Sequence, residues 1–244
     1  MKVLRLSTQL HKWIALIVGI QVLFWVAGGL VMTAIPIERV RSEHHVAEVR
    51  PAPLRLSEVL PLDQAAARAG IAPAEAQLKS TPRGPAWVLK PAGGEAVTVS
   101  AIDGAPFGPM TEQAVRDLAQ RAYKGDGKTV FAELLATAPQ ETGRTGPLWR
   151  VDFDDAEGTT FYVSPETGEV VTRRSQVWRF YDFFWRLHIM DLENGTDFNH
   201  PPIIVAVVLT LAIVITGFVL LWIRLGRDVA GWRAAAAERR RQAS

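Results

Sequence analysis

The sequence predicts an α+β fold, two helix-plus-antiparallel-sheet repeats set between two transmembrane α-helices.

 Three observations carry that prediction. Two runs of more than 20 residues contain no charged side chain. Between them, a helical pattern followed by strand-like segments occurs twice. Charge is segregated as well, positive at both ends and negative between them. The averages over 244 residues hide this, at 48% hydrophobic, 21% charged, mean hydropathy +0.10 and net charge +2. They exclude a disordered chain. The lack of cysteine excludes disulfides, thiolate metal sites, iron–sulfur clusters and cysteine nucleophiles.

Residues 1–12 form a basic N-terminus carrying Lys2, Arg5 and Lys12. Residues 13–37, WIALIVGIQVLFWVAGGLVMTAIPI, are the first span, because a hydrocarbon core needs roughly 20 apolar helical residues. The run is too long for the core of a cleaved signal peptide, and no small-x-small site follows Ala34 promptly. It reads as an uncleaved signal anchor. Residues 38–54 are charged and contain Pro51 and Pro53, which predicts an extended linker.

The first helix-plus-sheet unit occupies residues 55–109. Pro61 opens the helical run LDQAAARAG, with Leu62, Ala66 and Ala69 on one face and Gly70 as its C-terminal cap. The strands AEAQLKS, AWVLKPA and EAVTVSAI follow. The second unit, 110–175, repeats the order. Thr111 caps TEQAVRDLAQRAY, which aligns Val115, Leu118, Ala119 and Ala122 on one face. Its strands are TVFAELLATA, LWRVDFDD and TTFYVSP, with PQETGRTGP as an added loop. Trp87 and Trp149 take matching places at the start of the middle strand. In FYVSPETGEVV, Phe161 and Val163 point one way ahead of a turn at Pro165–Gly168. Asp152, Asp154 and Asp155 lack the spacing and central glycine of a calcium loop, so they read as a solvated acidic hairpin.

Residues 176–192 place Trp178, Tyr181, Trp185 and His188 on one helical stripe, while Arg179, Asp182 and Arg186 forbid a third span. This predicts an aromatic helix at a membrane surface. Residues 201–223, PPIIVAVVLTLAIVITGFVLLWI, are the second span, and residues 224–244 form a basic tail with six arginines against Asp228 and Glu238. The two ends together hold seven net positive charges, so a total of +2 leaves −5 for residues 13–223. The positive-inside rule then puts both termini in the cytoplasm and the central domain outside it, on a two-pass protein of the cytoplasmic membrane. Trp13 and Trp222 fall at the inner interface, Trp178 and Trp185 at the outer. A basic tail beside a membrane helix suits anionic lipid headgroups rather than nucleic acid, and an acidic outer domain suits a cationic or neutral partner.

SPETGEVV closely, and SAIDGAP loosely, resemble the closing D-x-x-T-G-E turn of PepSY domains. The flanking LHKWIALIVGIQVLFWVAGGLVM and WRLHIMDL…ITGFVLLW resemble the PepSY-associated transmembrane family. Gly28-Gly29 departs from the Ser-Gly frequent in relatives, and larger members have more membrane helices. The resemblance implies a helix packed on a small sheet in each unit. It also implies a binding, accessory or regulatory role in the cell envelope, with an extracytoplasmic protein or peptide partner. A groove near Trp87 and Trp149 is the first place to look for that partner, although both tryptophans also suit core packing. A structural subunit of a larger membrane protein is a further reading, through the small residues Gly19, Gly28 and Gly29.

Resembling proteins implicated in ferric-siderophore reduction hold b-type haem on membrane histidines. That implies His11, in L-H-K-W, and His188, in R-L-H, as haem ligands. His11 lies ~35 Å below the outer surface if the topology holds, so it cannot share one haem with His188 in a monomer. His188 with His200 is the pair that could, and His44 or His45 could reach the same layer. No G-x-S-x-G, H-E-x-x-H, Walker A or G-x-G-x-x-G motif occurs, and no catalytic constellation is visible, which argues against an enzyme.

Overall fold

The computed structural model describes residues 2–47, 53–193 and 195–242. The chain divides into two compact units, a helical one of residues 1–34 and 182–244 and an α+β one of residues 35–181.

The helical unit is built on α1 (Lys2–Ala34) and α6 (Pro201–Gln242). Trp13–Ala34 and Pro201–Ala237 are long and apolar enough to cross a membrane, with mean hydropathies of 2.4 and 3.1. Most of their side chains are not covered by protein: Leu30 is 67% exposed and Phe218 68%, although Val18 is buried. Water would make such helices insoluble, and lipid is the solvent that suits them. Helix α1 stops at Ile35-Pro36, where proline supplies no N–H and restricts the residue before it. Helix α6 continues 19 residues past position 223, through the basic tail. Ala, Arg, Glu and Gln are strong helix formers, and Gly226 and Gly231 cost only about 1 kcal/mol each.

In the α+β unit, the sequence predicts an extended linker from residue 38, but the chain folds. It forms α2 (Ile37–Val40) and a 3₁₀ turn at Glu43–His45. Val40 and Ser42 are buried, and Val46 bridges Tyr123. The Ala47 N–H donates to the Ala122 carbonyl at 2.9 Å and the Lys124 N–H to the His45 carbonyl at 2.8 Å. These tertiary anchors act on a segment too short to show a period. Residues 48–52, including Pro51, lie outside the described residues.

The first half then runs α3 (Leu62–Ala69), β1 (Pro73–Thr81), β2 (Gly84–Pro91) and β3 (Val97–Ser100), an antiparallel sheet in the order β1-β2-β3. The second half runs α4 (Glu112–Ala122), β4 (Thr129–Leu135), β5 (Leu148–Phe153), β6 (Thr160–Val163) and β7 (Val170–Arg174), in the order β4-β5-β6-β7. The two sheets are separate, and the second gains a fourth strand beyond its turn. Thr111 caps α4 by accepting the Ala114 N–H, and Gly70 ends α3 at φ 66°. In α3 the buried pair is Ala65 and Ala66, while the predicted Leu62 stays exposed. A two-turn helix presents only its central turn to the sheet.

The halves agree in register. Leu78, Trp87 and Val99 stand side by side across the first sheet, and Leu134, Trp149 and Val163 across the second. The core of the second half joins Val115 and Ala119 of α4 to Trp149, Val151, Phe153, Phe161 and Val163. Phe161 and Val163 are both fully buried in this core, while Tyr162 between them is buried too but stands outside it, so the strand is covered on both faces. Helix α5 (Gln176–Ile189) begins in the α+β unit and ends in the helical one.

Candidate functional site

In the helical unit the polar chemistry gathers where α5 ends. The last carbonyls of a helix lack intrahelical donors, and a nonpolar setting makes each expensive to leave unpaired. Met190, at φ 58°, turns the chain away. The Trp25 indole N–H donates to the His188 carbonyl at 2.7 Å, and His200 Nε2 to the Ile189 carbonyl at 2.9 Å. In return, His188 Nδ1 lies 3.2 Å from the Trp25 carbonyl. Gly28 makes room for this closure, since a Cβ there would stand 3.2 Å from His188 Cβ and 3.3 Å from the Phe184 carbonyl. Among the described residues Gly19 and Gly29 have no such neighbour within 4 Å, so of the three glycines Gly28 is the one packed closely there.

These contacts fix tautomers. A carbonyl only accepts, so His188 carries its hydrogen on Nδ1 and keeps the Nε2 lone pair when neutral. His200 is the reverse, with its hydrogen on Nε2. The His11 side chain lies outside the described ones. On α1 it precedes Trp25 by 14 residues, which is ~21 Å of helix rise. That separates His11 from His188 within one chain. Replacing Trp25 with Phe leaves the His188 carbonyl unpaired and is expected to cost about 1–3 kcal/mol of local stability. Faster hydrogen exchange confined to the last turn of α5 would show it, and unchanged protection would refute it.

The predicted tryptophans fall in several settings. Trp13 and Trp222 are exposed on the apolar helices at 59% and 81%. Trp185 donates to the Gly195 carbonyl at 2.9 Å and meets Phe198 edge-on, while the adjoining Asn194 lies outside the described residues. Trp178 lies beneath the Arg174 guanidinium, 4.0 Å from the ring centre. Trp149 is buried in the core, and its indole N–H has no partner among the described residues. Trp87 is partly buried and donates to the Leu60 carbonyl at 3.0 Å. Buried Trp149 therefore offers a partner little surface.

A more open surface is the outer edge of β4. No strand pairs with that edge among the described residues. Its first residue is occupied, the Thr129 N–H by Gln120 and the Thr129 carbonyl by Arg116. Beyond it, Val130, Phe131 and Leu134 are 56%, 42% and 49% exposed. The apolar strand is legible in the sequence, but its edge position depends on strand order.

The far face of the second sheet carries a closed polar network. The Tyr162 hydroxyl donates to Glu141 Oε1 at 2.6 Å, and Arg179 bridges both carboxylate oxygens at 3.2 Å. Arg174 Nε donates to the Glu141 carbonyl at 2.6 Å. Arg150 pairs with Asp152, which also accepts the Thr160 hydroxyl. Burial pushes the Glu141 carboxyl up, but Tyr162, Arg179 and Arg174 outweigh it and hold the group below the usual carboxylate range. Burial, with the Glu141 charge beside it, pushes the Tyr162 hydroxyl well up.

Two apolar helices open to lipid and an α+β unit of two similar halves define a membrane protein with a folded polar portion. The chain matches the family model described as "PepSY-associated TM region" over residues 8–244 and belongs to that family. No curated protein and no solved structure matches it.

Proposed function

We propose that this chain is a two-pass protein of the cytoplasmic membrane. Its α+β unit works outside the cytoplasm as a binding or accessory module, with residues 55–109 and 110–175 as PepSY-like units. The observation that carries the binding role is the open, apolar edge of β4. An unpaired strand edge is a template for an extended segment of another chain, with backbone hydrogen bonds giving affinity and side-chain contacts giving specificity. The acidic balance between the basic ends favours an extended partner segment that is neutral or cationic. Basic ends support the assigned orientation.

Both parts are testable. The chain has no cysteine, so single cysteines report position cleanly. Lys90→Cys is expected to react with a membrane-impermeant maleimide in intact cells, and Arg241→Cys only after permeabilisation; the opposite pattern would overturn the topology. A photo-crosslinking residue at Phe131 is expected to capture a second protein, and Val130→Pro to abolish the adduct. Equal capture from Glu75 on β1 would overturn the β4 assignment.

A second reading, haem carriage for electron transfer in iron reduction, is favoured by one observation. Donation from His188 Nδ1 to a backbone carbonyl leaves Nε2 with the lone pair and the orientation that metal-ligating histidines use. His188 would thus hold the haem iron through Nε2, with His200 Nδ1 as the other nitrogen nearby in sequence. Haem would supply one-electron transfer. A Soret band in the purified chain, lost in His188→Ala, is the expected result. A colourless protein from haem-supplied cells would end this reading.

A further inference from the structure

We propose that His44, His45 and Glu157 form a site for a divalent transition-metal ion of the zinc class. Nε2 of His45 and Nε2 of His44 stand 3.1 Å and 3.4 Å from the same oxygen, Glu157 Oε2. The three ligand atoms all lie within 4.8 Å of one another. Metal–ligand bonds of about 2.0–2.1 Å in a tetrahedral site put neighbouring ligand atoms ~3.3 Å apart. Two of the three edges already have that length. Two imidazoles and one carboxylate suit zinc and its first-row neighbours, whereas calcium and magnesium take mainly oxygen.

The surroundings hold the ligands in place. The 43–45 turn is pinned where the His45 carbonyl accepts the Lys124 N–H, and the His45 ring stacks on Tyr123 at 5.6 Å. The Glu157 carbonyl accepts the Gln176 N–H at 2.9 Å. Arg39 sits 3.6 Å from the other Glu157 oxygen, Oε1, which leaves Oε2 turned to the histidines. Asp155 Oδ2 lies 3.9 Å from His45 Nε2 and accepts the Tyr123 and Thr159 hydroxyls, so it supports the site from behind. The His44 side chain is 45% exposed and gives the ion a way in, while His45 and Glu157 are largely covered.

Without metal, each Nε2 needs a hydrogen to face Oε2. An ion replaces both hydrogens and ties the 43–45 turn to the hairpin between β5 and β6. The site lies wholly within the α+β unit and is independent of the haem reading.

The test uses the full-length, tag-free chain in detergent, stripped with chelator and titrated with Zn²⁺ against a chromophoric competitor. One equivalent per chain is expected. His44→Ala and Glu157→Gln are each expected to weaken binding by about 100-fold or more, beyond the roughly 10–100-fold typical of supporting residues. The double variant His188→Ala/His200→Ala is expected to bind like the parent chain. Absence of stoichiometric uptake at micromolar Zn²⁺ would overturn the site. So would uptake that survives the double variant His44→Ala/His45→Ala, or uptake lost in the His188/His200 variant.

Discussion

Glu141→Ala is expected to destabilise the α+β unit by about 3 kcal/mol, because it leaves Arg179 and the Tyr162 hydroxyl facing each other without their shared acceptor. Glu141→Gln keeps the shape and one acceptor, so it should cost less, about 1–2 kcal/mol. Hydrogen exchange across β6, β7 and the start of α5 reads the loss, since those are the elements the network joins. The same carboxylate sets a pH dependence. Its folded pKa lies below the unfolded value of about 4.3, so the stability it contributes is fully present above that value. It is lost as pH falls through the folded pKa. The parent chain should therefore lose protection on acidification below about pH 4.3, and Glu141→Gln should lose less over the same range. Equal acid sensitivity in both would show that Glu141 does not carry this effect.

What the sequence made legible follows the range of the interactions involved. The membrane helices need only the absence of charge over a span, a local property, and both are found. Helix α4 is equally plain, since Thr111 and the spacing of Val115 and Ala119 lie within one element. The matching of Trp87 with Trp149 is also visible as order along the chain, and the register bears it out. The Glu43–His45 turn is not visible, because its anchors are backbone bonds to residues 122–124. Nor is the histidine–glutamate cluster, whose members His45 and Glu157 stand 112 positions apart. The length of α6 is missed for another reason: a run rich in arginine and alanine reads as a tail by charge, although its propensity is helical. Edge positions such as that of β4 depend on which strands pair, and one sequence read alone does not order its strands.

Gly168→Val is expected to cost about 3 kcal/mol or more, with the greatest exposure around β6, β7 and α4. Gly168 holds φ +72°, where a side chain costs about 1–2 kcal/mol. A Cβ there would also come within 2.9 Å of Leu118 Cδ1 and 3.2 Å of Arg83 Cγ, and overpacking of this kind adds about 1–3 kcal/mol. The contact matters because Arg83, from the first half, donates to the Pro165 and Glu166 carbonyls at 3.1 Å and joins the halves at this turn. The first half has the same turn: Gly104 N–H donates to the Ser100 carbonyl as Gly168 N–H does to that of Ser164, both at 2.9 Å. Gly104, at φ +73°, likewise faces its helix, with a Cβ 3.0 Å from that of Arg68. Gly70→Ala separates the two causes, since Gly70 has φ +66° and open space around it. Only the backbone cost, about 1 kcal/mol, should appear there. If Gly168→Val and Gly70→Ala prove equally mild, the turn is not held by packing on α4, and the joint between the halves lies elsewhere.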